Sequence, residues 1–466
     1  MENKSVRNMM ASCLLIVMST MPATAQQVNA FSLKQAVDYA LKNSAQVKNA
    51  LLDIQIQKQT NKEITAAAYP QLTGSVNTNY NPNVAVQTFP NFIGAATYGV
   101  LEHEGVKNGM GNPIISPADF GLIQAQFGSK YTAGAGIDLN QLLFDGQVFT
   151  GLLARKTSIQ YATAAAEVTN EQIKINIYKI YYQLVVGKKQ IESIAANITR
   201  FDKLLNDTRE IYKNGFAEKL DVDKVEVQLN NLRTEKVKAQ NNIDAGISGL
   251  KFLMNMPQAD QLVLIDTLSD EELKQNILDE NYNYSDRKEY KQLSLLEKLN
   301  GYNVQRYKLS KIPTLSLTGN LSKNAQRQQF DFFKGTYFTS SFIGIRLNIP
   351  LFDGGAKNAR IATAKLNLQK TQNNIEQIKQ SIDNDVAQAR IMMKSALVTL
   401  DDQKRNISLA EKVYNSTKLK FEQGLGSNQE IYTAQTELKV AQNNYYSSLY
   451  DAINAKIDYL RATGKL

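Results

Sequence analysis

The sequence LNQLLFDG at residues 139–146 has a second copy, LNIPLFDG, at residues 347–354. Before each copy, small or apolar residues alternate with polar ones, which is typical of a β-strand with one apolar face. After each copy comes a long helical pattern without proline. The motif therefore predicts a strand-to-helix junction, in which Asp145–Gly146 and Asp353–Gly354 form the turn and can cap the helix.

The residues of the two junctions are interpreted as structural. Leucine and phenylalanine finish one face of each strand, and Pro350 suits a strand end because it cannot donate to a central ladder. Two copies between the same kinds of element indicate a duplicated unit. The junction residues are Phe144, Asp145, Gly146, Phe352, Asp353 and Gly354.

A helix-to-strand junction precedes each strand pair. The pattern predicts helices over residues 32–67, with Ser32 as the N-cap, and over residues 285–311. Each ends just before a proline, at Pro70 and at Pro313, because a helix rarely continues into the residue before proline.

Alternation with a period of two predicts four strands. Two lie in the first half, at residues 71–80 and 131–144, and two in the second, at residues 314–323 and 340–351. Residues 81–130 are rich in Gly, Pro, Asn and Phe. This composition predicts a long loop or insertion between the first two strands.

The longest patterns predict two helical hairpins, at residues 146–256 and 355–463. Apolar positions in their first helices recur at alternating steps of three and four, the heptad spacing of coiled coils. Gly215 and Gly424 mark the turns. A first helix of this length would extend roughly 100 Å, which no compact globular core requires.

The N-terminus resembles a secretory signal. Lys4 and Arg7 form a basic start, a short apolar run follows, and Ala23–Ala25 is a small-x-small cleavage site that places the cut before Gln26. The alternatives are an uncleaved anchor or a buried helix, but the apolar run is too short to span a bilayer. Cys13, the single cysteine, lies inside this segment, and its lipidation is a minor alternative.

These signals divide the chain into a signal peptide, two repeats and a connector. Each repeat contains a helix, two strands and a long helical hairpin. The ranges are residues 1–25 for the signal peptide, 26–256 for the first repeat, 257–284 for the connector and 285–466 for the second repeat.

Composition excludes several classes of protein. The chain has 466 residues, of which 43% are hydrophobic and 21% are charged, so it can bury a core. The net charge of +9 is spread along helical faces that also carry Glu, Asp and Gln, which favours a solvated surface over a nucleic-acid site. The single histidine, His103, has no second histidine to form a metal site and no triad partner. We expect no enzymatic activity and no cofactor.

The strand count predicts an oligomer. No segment after the signal is apolar enough for a membrane helix, so a membrane-spanning form would have to be a closed barrel. Four strands cannot close one, but three copies would supply about twelve. The expected fold is an α+β membrane protein, a trimeric twelve-stranded β-barrel continued by a coiled-coil α-barrel. The alternative is a soluble protein whose small sheet packs on a helical bundle.

Taken together, these junctions, the helical turns 209 residues apart and the run GLGSNQEIYTA from Gly424 onward resemble the TolC family of outer-membrane efflux channels. The resemblance covers essentially the whole mature length. It implies an outer-membrane homotrimer with its helical part in the periplasm, a periplasmic adaptor and an inner-membrane transporter as partners, and drug efflux or type I secretion as the process.

The resemblance also implies positions at the hairpin tips. Family members commonly carry acidic residues at the tunnel constriction, and the matching position is Glu430. The alternative, which remains open, is a first-turn carboxylate that complements the helix dipole, with Ser427 as the N-cap. The second acidic position of the family falls at Thr433, which puts a double acidic ring in doubt.

The turn residues are the expected adaptor contacts, although their glycines also suit simple helix C-caps. They are Gly215, Phe216, Gly424, Leu425 and Ser427. The main functional hypothesis is an outer-membrane export channel, and the alternative is a secreted or periplasmic structural coiled-coil protein without a pore. A passive porin would not need the long helices. The transported substrate and the class of pump are not specified by the sequence.

Overall fold

The structure is a computed structural model, and it describes residues 28–267 and 281–466. The predicted signal peptide with Cys13, and the acidic middle of the connector, lie outside the described residues. The chain divides into two compact units. One contains residues 60–154 and 302–364, and the other contains the remaining described residues.

Helices and strands alternate in a similar order in the two halves of the chain. The first half contains β1 Val28–Phe31, α1 Leu33–Asn43, α2 Ala45–Ala66, β2 Gln71–Tyr80, β3 Val86–Pro90, α3 Phe92–His103, β4 Leu122–Gln126, β5 Tyr131–Phe144, α4 Gly146–Lys213 and α5 Lys219–Met254. After β6 Gln261–Leu264, the second half contains α6 Lys288–Leu309, β7 Thr314–Arg327, β8 Phe338–Asn348, α7 Ala356–Glu422 and α8 Asn428–Ala462.

The unit of residues 60–154 and 302–364 is built on a four-stranded antiparallel sheet in the order β2-β5-β7-β8. The register pairs Val76 with Ala135, Ile137 with Leu321, and Gly319 with Ile343. Directly paired residues lie on the same face of a sheet, so one face is mostly apolar across all four strands. Within the described residues, β2 and β8 are its two edges.

The loop or insertion predicted over residues 81–130 lies between β2 and β5 and has secondary structure of its own, namely β3, α3 and β4, with β3 paired to β4. Gly94 and Gly99 lie within α3, where glycine is unfavourable but tolerated. The last two strands also have shifted bounds. β7 continues to Arg327, and β8 runs from Phe338 only to Asn348.

The single helix predicted over residues 32–67 is two helices. Ser44 separates them with an extended backbone, φ −54° and ψ 133°. Ser32 is the N-cap as predicted, because its hydroxyl accepts from the Gln35 amide at 3.3 Å while the Gln35 side chain accepts from the Ser32 amide at 2.9 Å. This reciprocal pair is a capping box.

The other unit contains most of both helical hairpins and a small parallel sheet of β1 and β6. The sheet lies beside a buried cluster that includes Ala36, Ile177 and Met254. Tyr181 is fully buried there, and its hydroxyl donates to the Phe31 carbonyl at 2.9 Å. Among the described residues, no helix combines the length and hydropathy needed to cross a bilayer.

Candidate functional site

The two hairpin turns have the same backbone. Gly215 and Gly424 adopt left-handed conformations, with φ of 81° and 71°. The amides of Phe216 and Leu425 donate to helix carbonyls five residues earlier, at 3.0 and 2.9 Å. This is the Schellman pattern, so both glycines are helix C-caps. The turns also present apolar side chains to solvent. Phe216 is 85% exposed and Leu425 is 77% exposed.

Ser427 and Glu430 open helix α8. The Ser427 hydroxyl accepts a hydrogen bond from the Glu430 amide at 3.2 Å, which caps the first turn. The carboxylate of Glu430 stands in that turn, where negative charge complements the helix dipole, and the residue is exposed. The position of Glu430 therefore fits the helix-dipole alternative, and its exposure is also compatible with the constriction predicted from the sequence. Thr433 lies one turn on and donates to the Gln429 carbonyl at 2.8 Å.

Apolar side chains from all four long helices hold the two hairpins together near these turns. Phe201 and Leu232 are fully buried, and Leu438 is almost so. Phe201 contributes an edge-on contact to Tyr432 with ring centroids 6.2 Å apart. The remaining buried members are Ile194, Leu204, Leu205, Val222, Val225, Leu229, Tyr414 and Ile431.

A polar link crosses the same interface between the hairpins. The side-chain oxygen of Gln442 accepts from Asn197 at 2.7 Å and from Ser193 at 2.8 Å. Arg200 donates to the Asn197 side-chain oxygen at 2.9 Å and lies over the Tyr414 ring, 5.5 Å from its centroid. Asn197 is 3% exposed and Gln442 is 7% exposed. Hydrogen bonds in so sheltered a position specify one arrangement of the hairpins, because any other arrangement leaves buried polar groups unpaired.

Ion pairs also join the hairpins. Lys439 and Glu235 lie 2.7 Å apart, and their side chains are 17% and 33% exposed. Asn443 adds a hydrogen bond to the same carboxylate at 3.3 Å. Lys203 and Glu422 lie 3.1 Å apart and are more exposed, and their hydrogen bond raises the pKa of Lys203 and lowers the pKa of Glu422. Since water screens exposed pairs, the Lys439–Glu235 pair contributes more to the interface.

The first strand-to-helix junction is tightly packed. Asp145 caps helix α4 by accepting from the Gln147 amide at 2.7 Å. Gly146 begins that helix, and a Cβ atom there would lie 2.8 Å from Leu309 and 3.1 Å from Ile312. This close approach requires glycine at residue 146.

The second junction has a different local structure. The Asp353 carboxylate accepts from the Gly355 and Lys357 amides at 3.1 and 2.9 Å. Gly354 and Gly355 are both left-handed, with φ of 64° and 85°. Phe352 is 92% exposed. The expected cap is present in both copies, but the second strand ends earlier and a loop precedes its helix.

Proline marks both helix-to-strand junctions. Helix α2 ends at Ala66 and Pro70 immediately precedes β2, whereas α6 ends at Leu309 and Pro313 immediately precedes β7. Both prolines therefore occupy the first position outside a strand, where the missing amide hydrogen costs no ladder hydrogen bond.

Similarity to known proteins extends along the chain. Residues 298–465 match the model of the family "Outer membrane efflux protein". Outer membrane protein TolC of Vibrio cholerae is 19% identical over 346 residues, which cover 71% of this chain and 76% of the relative. Outer membrane efflux protein BepC of Brucella suis is 21% identical over 488 aligned positions, covering 99% of this chain and 91% of the relative.

Solved structures show the same fold. CusC superposes with a TM-score of 0.73 at 16% identity, and the superposition covers 92% of this chain and 91% of the CusC chain. VceC of Vibrio cholerae gives a TM-score of 0.70 at 14% identity, and the superposition covers 93% of this chain and 96% of the VceC chain. The chain is thus similar to outer-membrane efflux channels over most of its length. This similarity supports a location in the outer membrane, and it favours export over a coiled-coil structural role without a pore.

The polar face of the sheet has features that sequence reasoning missed. On this face, Asn320 donates to the Asp138 carboxylate at 2.8 Å. Phe342 pairs with Asn320 and Phe338 pairs with Asn324, so two exposed aromatic rings lie among polar side chains. The alternation in β8 reverses above Ile343, and a simple period-two pattern does not reveal this.

A buried arginine was also missed. Arg287 is 3% exposed, and it pairs with Glu289 at 3.3 Å and Asp385 at 3.5 Å. It also donates to the Ala462 carbonyl at 3.3 Å and so ties the end of α8 to the start of α6. Burial, together with the nearby Glu289 charge, raises the pKa of Glu171. Family members are channels rather than enzymes, and this cluster is best explained as structural.

Proposed function

We propose that this protein is the outer-membrane channel of a tripartite export system, which conducts substrates from an inner-membrane pump and a periplasmic adaptor to the exterior. The observation that carries this proposal is the four-stranded sheet. One face is apolar and exposed, with Val76 84% and Ile343 73% exposed, and the opposite face is mostly polar. An exposed apolar face on a small sheet is what a lipid-facing wall requires, and a polar face suits a water-filled lumen.

Three copies would complete the wall. Within the described residues both edges of the sheet are unpaired, and lipid does not tolerate unpaired backbone groups. Three four-stranded sheets give a closed ring of about twelve strands, within the range known for outer-membrane barrels. The long hairpins α4–α5 and α7–α8, whose first helices begin where β5 ends and shortly after β8, would continue the ring as a coiled-coil α-barrel. The two halves of each chain would then be structural repeats.

The hairpin turns are the proposed contacts for the periplasmic adaptor. Phe216 and Leu425 are exposed apolar side chains in corresponding positions of two equivalent turns. Gly215 and Gly424 hold those turns, and Ser427 caps the helix that follows the second. Exposed apolar residues on a defined turn suit a docking surface, because their burial by a partner releases water.

Glu430 is the proposed tunnel constriction. In a trimer three copies of this exposed carboxylate would approach the axis, repel one another and attract cations. Because the next turn carries Thr433, the ring would be single, and we expect moderate rather than strong block by multivalent cations. Glu430→Gln should reduce block by hexaamminecobalt in planar bilayers. Unchanged block would leave Glu430 only its role beside the positive end of the helix dipole.

Gene deletion with complementation tests the function. We expect the deletion strain to become sensitive to some members of a panel of toxic compounds or to lose a secreted polypeptide, and wild-type protein to restore it. Chemical cross-linking of the detergent-extracted protein should give a trimer. A monomeric, water-soluble product together with an unchanged compound and secretion profile would refute the channel and favour the structural coiled-coil alternative.

A further inference from the structure

The apolar face of the four-stranded sheet carries positive charge near one end. Directly paired residues lie on the same face, so Lys323 of β7 and Thr339 of β8 belong to this face together with Ala135. Arg327, four positions after Lys323, lies opposite Tyr131 on the same face. The other residues that the four strands place on this face are uncharged. Charge on the apolar face is thus confined to the final part of β7.

Arg327 has its partners in the connection between β7 and β8. Its guanidinium donates to the Thr336 carbonyl at 2.7 Å and pairs with the Asp331 carboxylate at 3.5 Å. It also lies over the Tyr337 ring, 5.9 Å from the centroid. The Arg327 side chain is only 14% exposed. Its positive charge is therefore compensated within its own chain.

Lys323 differs from Arg327 in this respect. The residue is exposed, and its ammonium group has no hydrogen-bond or ion-pair partner among the described residues. Thr339, directly opposite on β8, is also exposed. A lysine on a wall that faces lipid costs free energy, and this cost is largest at the middle of the bilayer and smallest near its surface. The depth of Lys323 in the bilayer therefore decides what its ammonium group can meet.

An aromatic cluster of Tyr80, Tyr131, Phe330 and Phe332 marks one end of the sheet. Tyr80 and Tyr131 stack with ring centroids 4.9 Å apart. Phe330 and Phe332 approach the Tyr131 ring edge-on, at 5.8 and 6.5 Å. The long helices leave from the opposite end, where β5 ends at Phe144 and α4 begins. Because aromatic girdles lie at both interfaces of an outer-membrane barrel, the aromatic cluster indicates the outer interface of the proposed channel.

The spacing along β7 places Lys323 just beneath this interface. Four residues at about 3.4 Å each, on a strand tilted by about 40°, put the Lys323 Cα about 10 Å below the row of Arg327 and Tyr131. The aliphatic stem of a lysine can lie along apolar surface while its ammonium group extends to the interface. The ammonium group of Lys323 therefore reaches the level at which lipid headgroups begin. Below it, Leu321 and Ile343 continue the apolar face.

We propose that Lys323 and Thr339 bind a phosphate group of an outer-leaflet lipid, whose acyl chains lie on the apolar residues below. This inference rests on the proposed channel, because it requires the apolar face of the sheet to lie in the membrane. It adds to that function a specific site on the wall and a lipid partner of stated chemistry.

The two ends of this site together select a phosphorylated lipid. Phosphate oxygens accept hydrogen bonds from an ammonium group and from a hydroxyl, and the ammonium group supplies the opposite charge. At the apolar end, Ile343 and Ile345 are 73% and 70% exposed. An uncharged lipid would cover these side chains but leave the Lys323 ammonium group uncompensated. A free phosphate ion would compensate the charge but leave the apolar side chains bare.

Binding of lipid A tests the proposal. The detergent-extracted protein is titrated with diphosphoryl lipid A and, separately, with dephosphorylated lipid A, and native mass spectrometry measures the bound fraction. We expect the diphosphoryl form to bind more tightly. Lys323→Gln should weaken its binding about fivefold, which corresponds to the roughly 1 kcal/mol that a lysine contributes near an anionic membrane surface. Lys323→Arg should keep most of the affinity, because a guanidinium also donates to phosphate.

Two further variants sharpen the comparison. Lys412→Gln makes the same change of charge at an exposed lysine of α7 and should bind both lipids as the wild type does. Thr339→Val removes the hydroxyl at nearly constant volume and should weaken binding of the diphosphoryl form about 2- to 10-fold. Equal affinity of the wild type for the two lipids, or an unchanged affinity of Lys323→Gln, would overturn the inference. Displacement of lipid A by inorganic phosphate would also overturn it, since the site would then bind the free ion.

Conductance separates this inference from the proposed function. Planar bilayer recording and chemical cross-linking of the wild type report the channel and the trimer without reference to lipid A. A conducting trimer that binds the two lipids equally refutes the lipid site and leaves the proposed channel standing. A wild-type protein that neither inserts into bilayers nor forms a trimer refutes both.

Discussion

Replacement of Gln442 by alanine should loosen the contact between the two hairpins. The Gln442 side-chain oxygen accepts from Asn197 at 2.7 Å and from Ser193 at 2.8 Å. Gln442→Ala removes both bonds and leaves the Asn197 amide without its acceptor, in a position that is only 3% exposed. An unsatisfied buried donor costs about 1–3 kcal/mol.

That cost applies only while the hairpins are together, because separation exposes Asn197 to water. The ratio of separated to closed hairpins should therefore rise about 5- to 150-fold, the factor that corresponds to about 1–3 kcal/mol. Single-channel recording in planar bilayers measures this as an increased open probability. Hydrogen exchange in the segments near Gly215 and Gly424 should increase in parallel.

Two further variants test whether the effect comes from the Asn197–Gln442 hydrogen bond. Gln377 is an exposed glutamine of α7, and Gln377→Ala should leave the open probability unchanged. The double variant Asn197→Ala/Gln442→Ala should cost less than the sum of the single ones, because the buried Asn197 donor is removed together with its acceptor. An open probability of Gln442→Ala equal to that of the wild type, or strict additivity in the double variant, would show that this link does not hold the hairpins closed.

Three other outcomes are expected. Gly146→Ala should lower the free energy of unfolding by about 1–3 kcal/mol, because the new Cβ would overlap neighbouring side chains. Gly301 lies in a helix with open space around it, so Gly301→Ala should raise the free energy of unfolding by up to about 1 kcal/mol. Denaturation in detergent compares the two variants. The hydrogen bond to Asp383, with burial, raises the pKa of Tyr282 to about 12. Any stability from the neutral phenol therefore persists below pH about 10 and is lost as the pH rises through about 12. Asp383→Asn should lower this pKa in an ultraviolet titration, and an unchanged pKa would refute the hydrogen bond. Phe216→Ser should weaken cross-linking to the periplasmic adaptor without changing the melting temperature, since the side chain is 85% exposed, and undiminished cross-linking would exclude this contact.

The elements with a strong period were predictable from the sequence. Strands β2 and β5 have the bounds that alternation predicts, and the turns at Gly215 and Gly424 end the long helices as expected. In each case one face is apolar over many residues, so local pattern and tertiary burial agree. The Ser427 cap followed from the same local chemistry.

The remaining features depend on contacts that a local pattern does not contain. Ser44 ends a helix in the middle of an unbroken helical pattern, where neither proline nor glycine marks the break. Helix α3 forms despite Gly94 and Gly99. Gln442 resembles a surface glutamine in the sequence, and only the fold brings Asn197, 245 residues away, against it. Arg287 was missed for a similar reason, since Asp385 and Ala462, which hold it in addition to Glu289, come from distant parts of the chain.

The short parallel sheet of β1 and β6 imposes an order of events on secretion. The backbone amide of Leu33, just after β1, donates to the Asp266 carboxylate, 233 residues further along the chain, at 2.7 Å. A chain that emerges N-terminus first must therefore expose its opening strand until more than half of its length has been delivered, while the nearby helical turns can already form. The β1–β6 pairs and the Leu33–Asp266 hydrogen bond are therefore among the contacts that only a chain longer than its first half can make.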